Sequence, residues 1–124
     1  LAKLTSVVYE PRLRALFDRW SIWLIVALAA VLRLYNLGYP SKLVFDETYY
    51  VKDALSLTAT GFEHDWPAGS DDVLAAGKVP VFSDTGSFVV HPPLGKWIIG
   101  AGMSLFGQDN SFGWRFSVAV LGIA

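Results

Sequence analysis

Residues 20–37 read WSIWLIVALAAVLRLYNL, and this apolar run decides the fold class that the sequence predicts. Ser21 is the one polar residue before Arg33. The run extends to about 18 residues, and a membrane-spanning helix needs ~20. Because no polar stripe follows the helical period, a buried core helix is disfavoured. Aromatic residues suited to a membrane interface stand at both ends: Trp20, Trp23, Tyr35 and Tyr39. We therefore predict a transmembrane helix over residues 20–37.

The basic residues around this run predict its orientation. Lys3, Arg12, Arg14 and Arg19 precede it, whereas the lysines after it are spread through a long loop. Under the positive-inside rule, the N-terminal segment is cytoplasmic and the loop is exoplasmic. The start of the chain also resembles a secretory signal peptide, but no small-residue cleavage site follows. We expect the helix to be retained in the membrane.

Composition supports a membrane protein and excludes several classes of site. Hydrophobic residues make up 53% of the 124 residues, charged residues make up 17%, and the mean hydropathy is +0.42. The net charge of −1 makes a nucleic-acid surface improbable. With no cysteine and only two histidines, the sequence offers no thiolate site or His-rich metal site, and no metal ligands are predicted. The chain lacks an initial Met and ends in an apolar run, so we expect a fragment of a longer protein.

The predicted fold class is mainly α, with polytopic membrane helices and a long exoplasmic first loop. In this loop, apolar residues at helical spacing predict an amphipathic helix over residues 48–59. Residues 61–77 are predicted to be irregular, and two β-prone runs within residues 78–91 predict a hairpin. A short helix on the inner membrane surface is expected in EPRLRALFDRW, residues 10–20. The predicted segments are a cytoplasmic juxtamembrane segment (1–19), a first span (20–37), exoplasmic loop 1 (38–91), a second span (92–107), a cytoplasmic turn (108–113) and a truncated third span (114–124).

Two adjacent carboxylates, Asp46 and Glu47, are the first candidates for chemistry. At the start of a helix their side chains point about 100° apart, which argues against the flanking pair of a glycoside hydrolase. The arrangement favours one carboxylate as a general base and the other as an orienting or acceptor-binding group. The alternative is that Asp46 only caps the helix and Glu47 is solvated.

A second candidate is HPPLGKW, residues 91–97. Pro92 restricts His91 to an extended conformation, and prolines suit the first helical turn. Lys96, one turn later, tilts back towards the helix start, so His91 and Lys96 are predicted to bind a lipid phosphate. The alternative is a membrane-interface anchor. Arg115, after two predicted crossings, is expected about 30 Å from Asp46 in a packing or snorkelling role, and His64 is expected in a surface loop.

Two motifs in this order resemble the protein O-mannosyltransferases, membrane enzymes of the GT-C glycosyltransferase superfamily. They are VFDETYYVKDA (44–54) and HPPLGKWIIG (91–100), and WRFSVAVLG (114–122) is similar to the Arg-containing start of the third span in that family. The resemblance covers about residues 30 to 124. The simple loop favours the bacterial branch, which implies a polyprenyl-phosphate-mannose donor.

The resemblance implies an inverting transfer of mannose to Ser or Thr hydroxyls of exported proteins, in a multi-pass plasma-membrane enzyme with an exoplasmic active site. Asp46 would be the base, Glu47 would help to seat the acceptor, and His91 and Lys96 would meet the donor phosphate. No cofactor is implied with certainty, and the implied partners are membrane lipids, the lipid-linked donor, secreted protein substrates and the secretion machinery. Two alternatives stay open: another GT-C enzyme that transfers aminoarabinose or arabinose from a lipid phosphate, and a non-enzymatic membrane subunit.

Overall fold

The structure, a computed structural model, describes residues 11–124 and is mainly α-helical, as predicted. No β-strand occurs within this range. Predictions for residues 1–10, the first part of the predicted cytoplasmic segment 1–19, lie outside the described residues. The five helices are α1 (Pro11–Leu34), α2 (Glu47–Thr60), α3 (Ser70–Ala75), α4 (Leu94–Phe106) and α5 (Ser111–Leu121).

Helix α1 contains residues 20–34 of the predicted span 20–37 and ends at Leu34. Its residues Arg14–Leu34 have a mean hydropathy of 1.8, and none of its apolar window is buried against the rest of the protein. The 24-residue helix is about 36 Å long, enough to cross a hydrocarbon core of ~30 Å. The prediction of a separate surface helix in residues 10–20 is wrong from Pro11 onwards, because these residues continue directly into α1.

Helix α2 confirms the amphipathic helix predicted for residues 48–59. Its apolar face buries Val51, Ala54 and Leu55, which pack with side chains from α3, α4 and α5 in a single core. Gly61 ends the helix in a left-handed conformation with φ of 88°, which glycine adopts without steric penalty. The other buried members of this core are Leu74, Met103 and Trp114.

Two glycines let α4 approach its neighbours closely. A Cβ atom at Gly100 would clash with the Thr58 side chain of α2. A Cβ atom at Gly102 would lie 2.5 Å from the Gly113 carbonyl oxygen of α5. The two close approaches hold α4 between α2 and α5.

The predicted hairpin in residues 78–91 is wrong. This segment bonds to residues 63–65, which follow α2, instead of folding on itself. The Ser83 amide donates to the Asp65 carbonyl (2.8 Å), and the Ser87 amide donates to the Glu63 carbonyl (2.9 Å). Residues 61–77, predicted to be irregular, also contain the short helix α3.

Helix α5 runs back along the end of α1. At its start, the Ser111 hydroxyl donates to the Gly38 carbonyl, just beyond α1. Beyond its last turn, Gly122 lies against the guanidinium of Arg33, a residue of the last turn of α1. The first turns of α5 therefore lie beside the segment that joins α1 to α2, and this placement decides where Arg115 reaches.

Candidate active site

Two cavities meet at the start of α2. The α2–α4 cavity, of about 600 Å³, is lined by side chains of α2, of the segments 64–66 and 87–91, and by Lys96 of α4. The α1–α5 cavity, of about 550 Å³, lies between α1, the start of α2 and α5. Asp46 and Tyr50 line both cavities. Asp46, Tyr50 and Asp53 recur at i, i+4 and i+7, so the helical period places them on one face of α2.

Asp46 precedes α2, in the N-cap position that the sequence predicted. Its backbone is helical (φ −68°), and its side chain makes no capping hydrogen bond. The structure therefore does not support the alternative, in which the Asp46 side chain only caps the helix. The carboxylate is exposed at the common wall of the two cavities, where it is accessible to a substrate proton.

Glu47, in contrast, is held by Arg115 through two parallel contacts. Arg115 Nε donates to Glu47 Oε1 (2.6 Å), and Nη2 donates to Oε2 (2.8 Å). Oε2 also accepts from the Val44 amide (3.0 Å). A two-point contact between guanidinium and carboxylate fixes orientation as well as distance. The Glu47 carboxylate is therefore held in a fixed orientation at the start of α2, beside the exposed Asp46.

The prediction that Arg115 lies about 30 Å from Asp46 is wrong. Besides its two bonds to Glu47, Arg115 donates from Nη1 to the carbonyls of Leu37 (3.1 Å) and Pro40 (2.9 Å). Nη2 also donates to the Lys42 carbonyl (3.2 Å), so all five N–H groups have a protein acceptor. The prediction counted α4 as a crossing, whereas α5 starts on the side of α1 where α2 begins.

His91 lines the α2–α4 cavity together with Asp46 and Lys96, so the two sequence motifs come together around one cavity. The imidazole is exposed, and its Nδ1 lies 3.2 Å from the Tyr50 hydroxyl. The two rings meet edge to face, with centroids 5.4 Å apart. Tyr50 thus connects the acidic motif to the HPPLGK motif.

Lys96 is almost fully buried, with 2% of its surface exposed. Its ammonium lies 3.0 Å from Asp53 Oδ2 and 2.8 Å from Glu63 Oε2. Two carboxylates therefore share one cation at the junction of α2, α4 and the segment after α2. Burial raises the pKa of Asp53 above 3.8; Lys96 opposes this shift, and Glu63 adds to it.

The expectation that His64 lies on a surface loop is also wrong. The residue is buried, and its ring lies between Phe62 and Phe82, with centroid distances of 4.0 and 4.5 Å. Nδ1 lies 2.7 Å from the Ser83 carbonyl, and Nε2 lies 3.0 Å from the Thr60 hydroxyl. With both ring nitrogens engaged, His64 holds the loop onto α2.

Sequence reasoning missed Tyr50, Asp53 and Glu63. The first two carried a usable signal, since they follow Asp46 at i+4 and i+7 on a helix that had been predicted. Glu63 carried none, because it reaches Lys96 through tertiary folding. Within residues 11–124, no cluster of three or more His, Asp or Glu side chains is arranged to hold a metal ion.

The sequence of this chain is similar to those of known mannosyltransferases. Over 113 residues, 86% of this chain, it is 37% identical to the polyprenol-phosphate-mannose–protein mannosyltransferase of Mycolicibacterium smegmatis strain mc(2)155. It is 35% identical over the same length to the Mycobacterium tuberculosis H37Rv protein of that name. In its matched segment, the chain is similar to these protein mannosyltransferases. The chain spans 18% of the length of these mannosyltransferases. No protein-family model matches the chain, and no solved structure matches it.

Proposed function

We propose that this chain forms the catalytic start of a mannosyltransferase that moves mannose from polyprenyl phosphate to Ser or Thr hydroxyls of exported proteins. The observation that carries the proposal is that Asp46 and His91 line the same cavity. The chain is also similar to proteins named polyprenol-phosphate-mannose–protein mannosyltransferase. Such a transfer requires a general base for the acceptor hydroxyl and a group that stabilises the charge of the leaving phosphate.

In the proposed reaction, Asp46 accepts the proton of the acceptor hydroxyl as its oxygen attacks the anomeric carbon of mannose. The bond between that carbon and the phosphate oxygen breaks, and polyprenyl phosphate leaves with the electron pair. A single displacement of this kind inverts the anomeric centre. Asp46 suits the role because it is exposed and its side chain makes no capping bond.

Glu47 is proposed to seat the acceptor from a fixed position. Its Oε1 accepts one bond, from Arg115 Nε, and a carboxylate oxygen has two lone pairs. One acceptor site on Oε1 is therefore left for a donor group of the acceptor peptide. Arg115 contributes by holding this carboxylate and the adjoining segment in place.

We propose that His91 contacts the donor phosphate, as the sequence predicted, and that Lys96 has a structural role instead. His91 is exposed at the cavity, whereas the Lys96 ammonium already contacts two carboxylates. Lys96 is proposed to hold α4 against α2, and in that way to keep the HPPLGK motif beside Asp46.

We also propose that α5, not α4, begins the second crossing of a multi-pass plasma-membrane protein. Helix α4 has 13 residues, about 20 Å, which is short of the ~30 Å hydrocarbon core. Helix α5 runs antiparallel to the end of α1. In this topology Asp46, His91 and Arg115 all lie on the exoplasmic side, where secreted substrates and the lipid donor meet.

Transfer of labelled mannose to a Ser/Thr peptide, by membranes that contain the full-length protein, tests the proposal. Asp46→Asn should reduce transfer at least ~100-fold, as expected for loss of a general base. Asp84→Asn, at an exposed residue outside both cavities, is the matched control. If wild-type membranes transfer no mannose, the proposed function is refuted. If the Asp46→Asn variant shows normal transfer and expression, the assignment of Asp46 as the base is refuted.

A further inference from the structure

Arg33 stands apart from the other cations that reach the site. Arg115 and Lys96 are both engaged by carboxylates within 3.0 Å. Lys52 pairs with Asp71 at 2.7 Å. Among residues 11–124, Arg33 lines a cavity and has no carboxylate within 4.0 Å. It is therefore the cation best placed to take an anionic ligand.

The cavity that Arg33 lines suits a lipid with a charged head. Apart from its charged and tyrosine side chains, its wall is apolar, and includes Val44, Phe45, Ile99 and Val118. It lies between α1 and α5, next to the exposed apolar surface of α1. A ligand that enters from the bilayer would meet apolar side chains along its chain and Arg33 at its phosphate.

Phe45 adds an exposed apolar side chain to this cavity. Its side chain is 90% exposed, although it lines this cavity beside Asp46. Its backbone φ is 50°, in the left-handed region that residues other than glycine rarely adopt. Such strain persists where surrounding structure enforces it, and it clusters at ligand sites.

The position of Arg33 is supported by α5. A Cβ atom at Gly122 would lie 2.5 Å from Arg33 Nη1, so the guanidinium packs directly over this glycine. Asp46 and Tyr50 form the wall between the Arg33 cavity and the His91 cavity. A phosphate at this wall would be approached by Arg33 from the α1 side and by His91 from the α4 side.

We propose that the α1–α5 cavity binds the phosphate and first isoprene units of the polyprenyl-phosphate donor, and that Arg33 is a further phosphate-binding residue. This inference rests on the proposed function. The occupant is a prenyl phosphate monoester, not a bilayer phospholipid, because its phosphate must reach Asp46.

Kinetics of the full-length protein in proteoliposomes test this assignment. Arg33→Gln should raise the KM for polyprenyl-phosphate-mannose about tenfold, the loss expected for one charge-assisted contact. The KM for the acceptor peptide should stay within twofold, and Arg33→Lys should recover part of the loss. Arg19→Gln is the control, since this exposed arginine of α1 lies about 21 Å away along the helix.

A second variant tests the apolar wall. Phe45→Ser should raise the KM for polyprenyl-phosphate-mannose, because the first isoprene units lose an apolar contact, and should leave the KM for the acceptor peptide within twofold. Wild-type transfer with an unchanged donor KM in Arg33→Gln would overturn the inference and leave the proposed function intact. Equal rises in both KM values, or competition by phosphatidylglycerol as strong as that by polyprenyl phosphate, would also overturn it.

Discussion

Arg115 and Glu47, 68 residues apart in the chain, form a two-point ion pair of 2.6 and 2.8 Å at the start of α2. The same guanidinium binds the carbonyls of Leu37, Pro40 and Lys42, between α1 and α2. One side chain of α5 therefore cross-links the segment that leads into Asp46. The acidic motif is positioned by α5 as much as by its own helix.

Replacement of Arg115 by Lys should disrupt this cross-link although the charge is kept, because a lysine ammonium cannot make the planar two-point contact. We expect about 2 kcal/mol of destabilisation, from the loss of charge-assisted bonds, and a lower rate of mannose transfer. Thermal unfolding of the detergent-solubilised full-length protein measures the first effect. Arg19→Lys, at an exposed site, should change neither property; equal midpoints for the two variants would contradict the cross-link.

Replacement of Lys96 by Met should leave Asp53 and Glu63 buried without their cation. Removing one partner of a buried ion pair costs about 3 kcal/mol or more. The unfolding midpoint should fall by several degrees, and transfer should fall with it. Lys78→Met, at an exposed lysine, is the control. If the Lys96→Met protein has normal stability but a raised KM for the lipid donor, the structural role is contradicted. That result would instead support the direct contact with phosphate that the sequence predicted.

The carboxyl of Asp53, whose side chain is 14% exposed, should make the protein less stable as the pH rises. Its pKa is raised in the folded state by burial, so the folded protein binds its proton more tightly than the unfolded chain. The contribution of Asp53 to stability is therefore fully present below pH 3.8, the ordinary pKa of this group. It is lost as the pH rises through the higher pKa of the folded state.

Asp53→Asn removes this titration and provides the comparison. The stability of the wild type relative to Asp53→Asn should be greater at about pH 4 than at about pH 7, measured as the difference in unfolding midpoint. A difference that stays constant, or grows with pH, would mean that the Lys96 ion pair outweighs burial in setting the pKa of Asp53.

The contact between Tyr50 and His91 should appear as non-additive kinetics. If the Tyr50 hydroxyl orients the imidazole, Tyr50→Phe and His91→Asn should each lower transfer, and the double variant should be about as active as the weaker single variant. Tyr35→Phe, at an exposed position on neither cavity, is the control. Independent losses that multiply in the double variant would show that the contact has no role in transfer.

Close packing of α4 can be tested with two glycines of the same helix. Gly102→Ala should destabilise the protein by about 1–3 kcal/mol, because the added methyl group meets the backbone of α5. Gly95→Ala meets no atom within 4 Å and should be neutral or stabilising, since alanine favours helix. The measurement is the unfolding midpoint of each variant, and a reversed order would disprove the close approach.

Local patterns in the sequence predicted the features that depend on neighbouring residues. The apolar residues at helical spacing predicted α2, and the length of the first apolar run predicted α1, because both are set by periodicity within one helix. The hairpin in residues 78–91 was wrongly predicted because β-prone runs do not specify their partner. That segment bonds to residues 63–65, where Phe82 packs against His64.

The sequence by itself determined that this chain has a long apolar helix, an acidic motif at a helix start and an HPPLGK motif later in the chain. Only the tertiary structure decided that Arg115 holds Glu47, that Lys96 is buried between two carboxylates, and that Arg33 is left facing an apolar cavity. The physical reason is that periodicity acts over a few residues. An ion pair across 68 residues, such as that of Arg115 with Glu47, depends on how the helices pack.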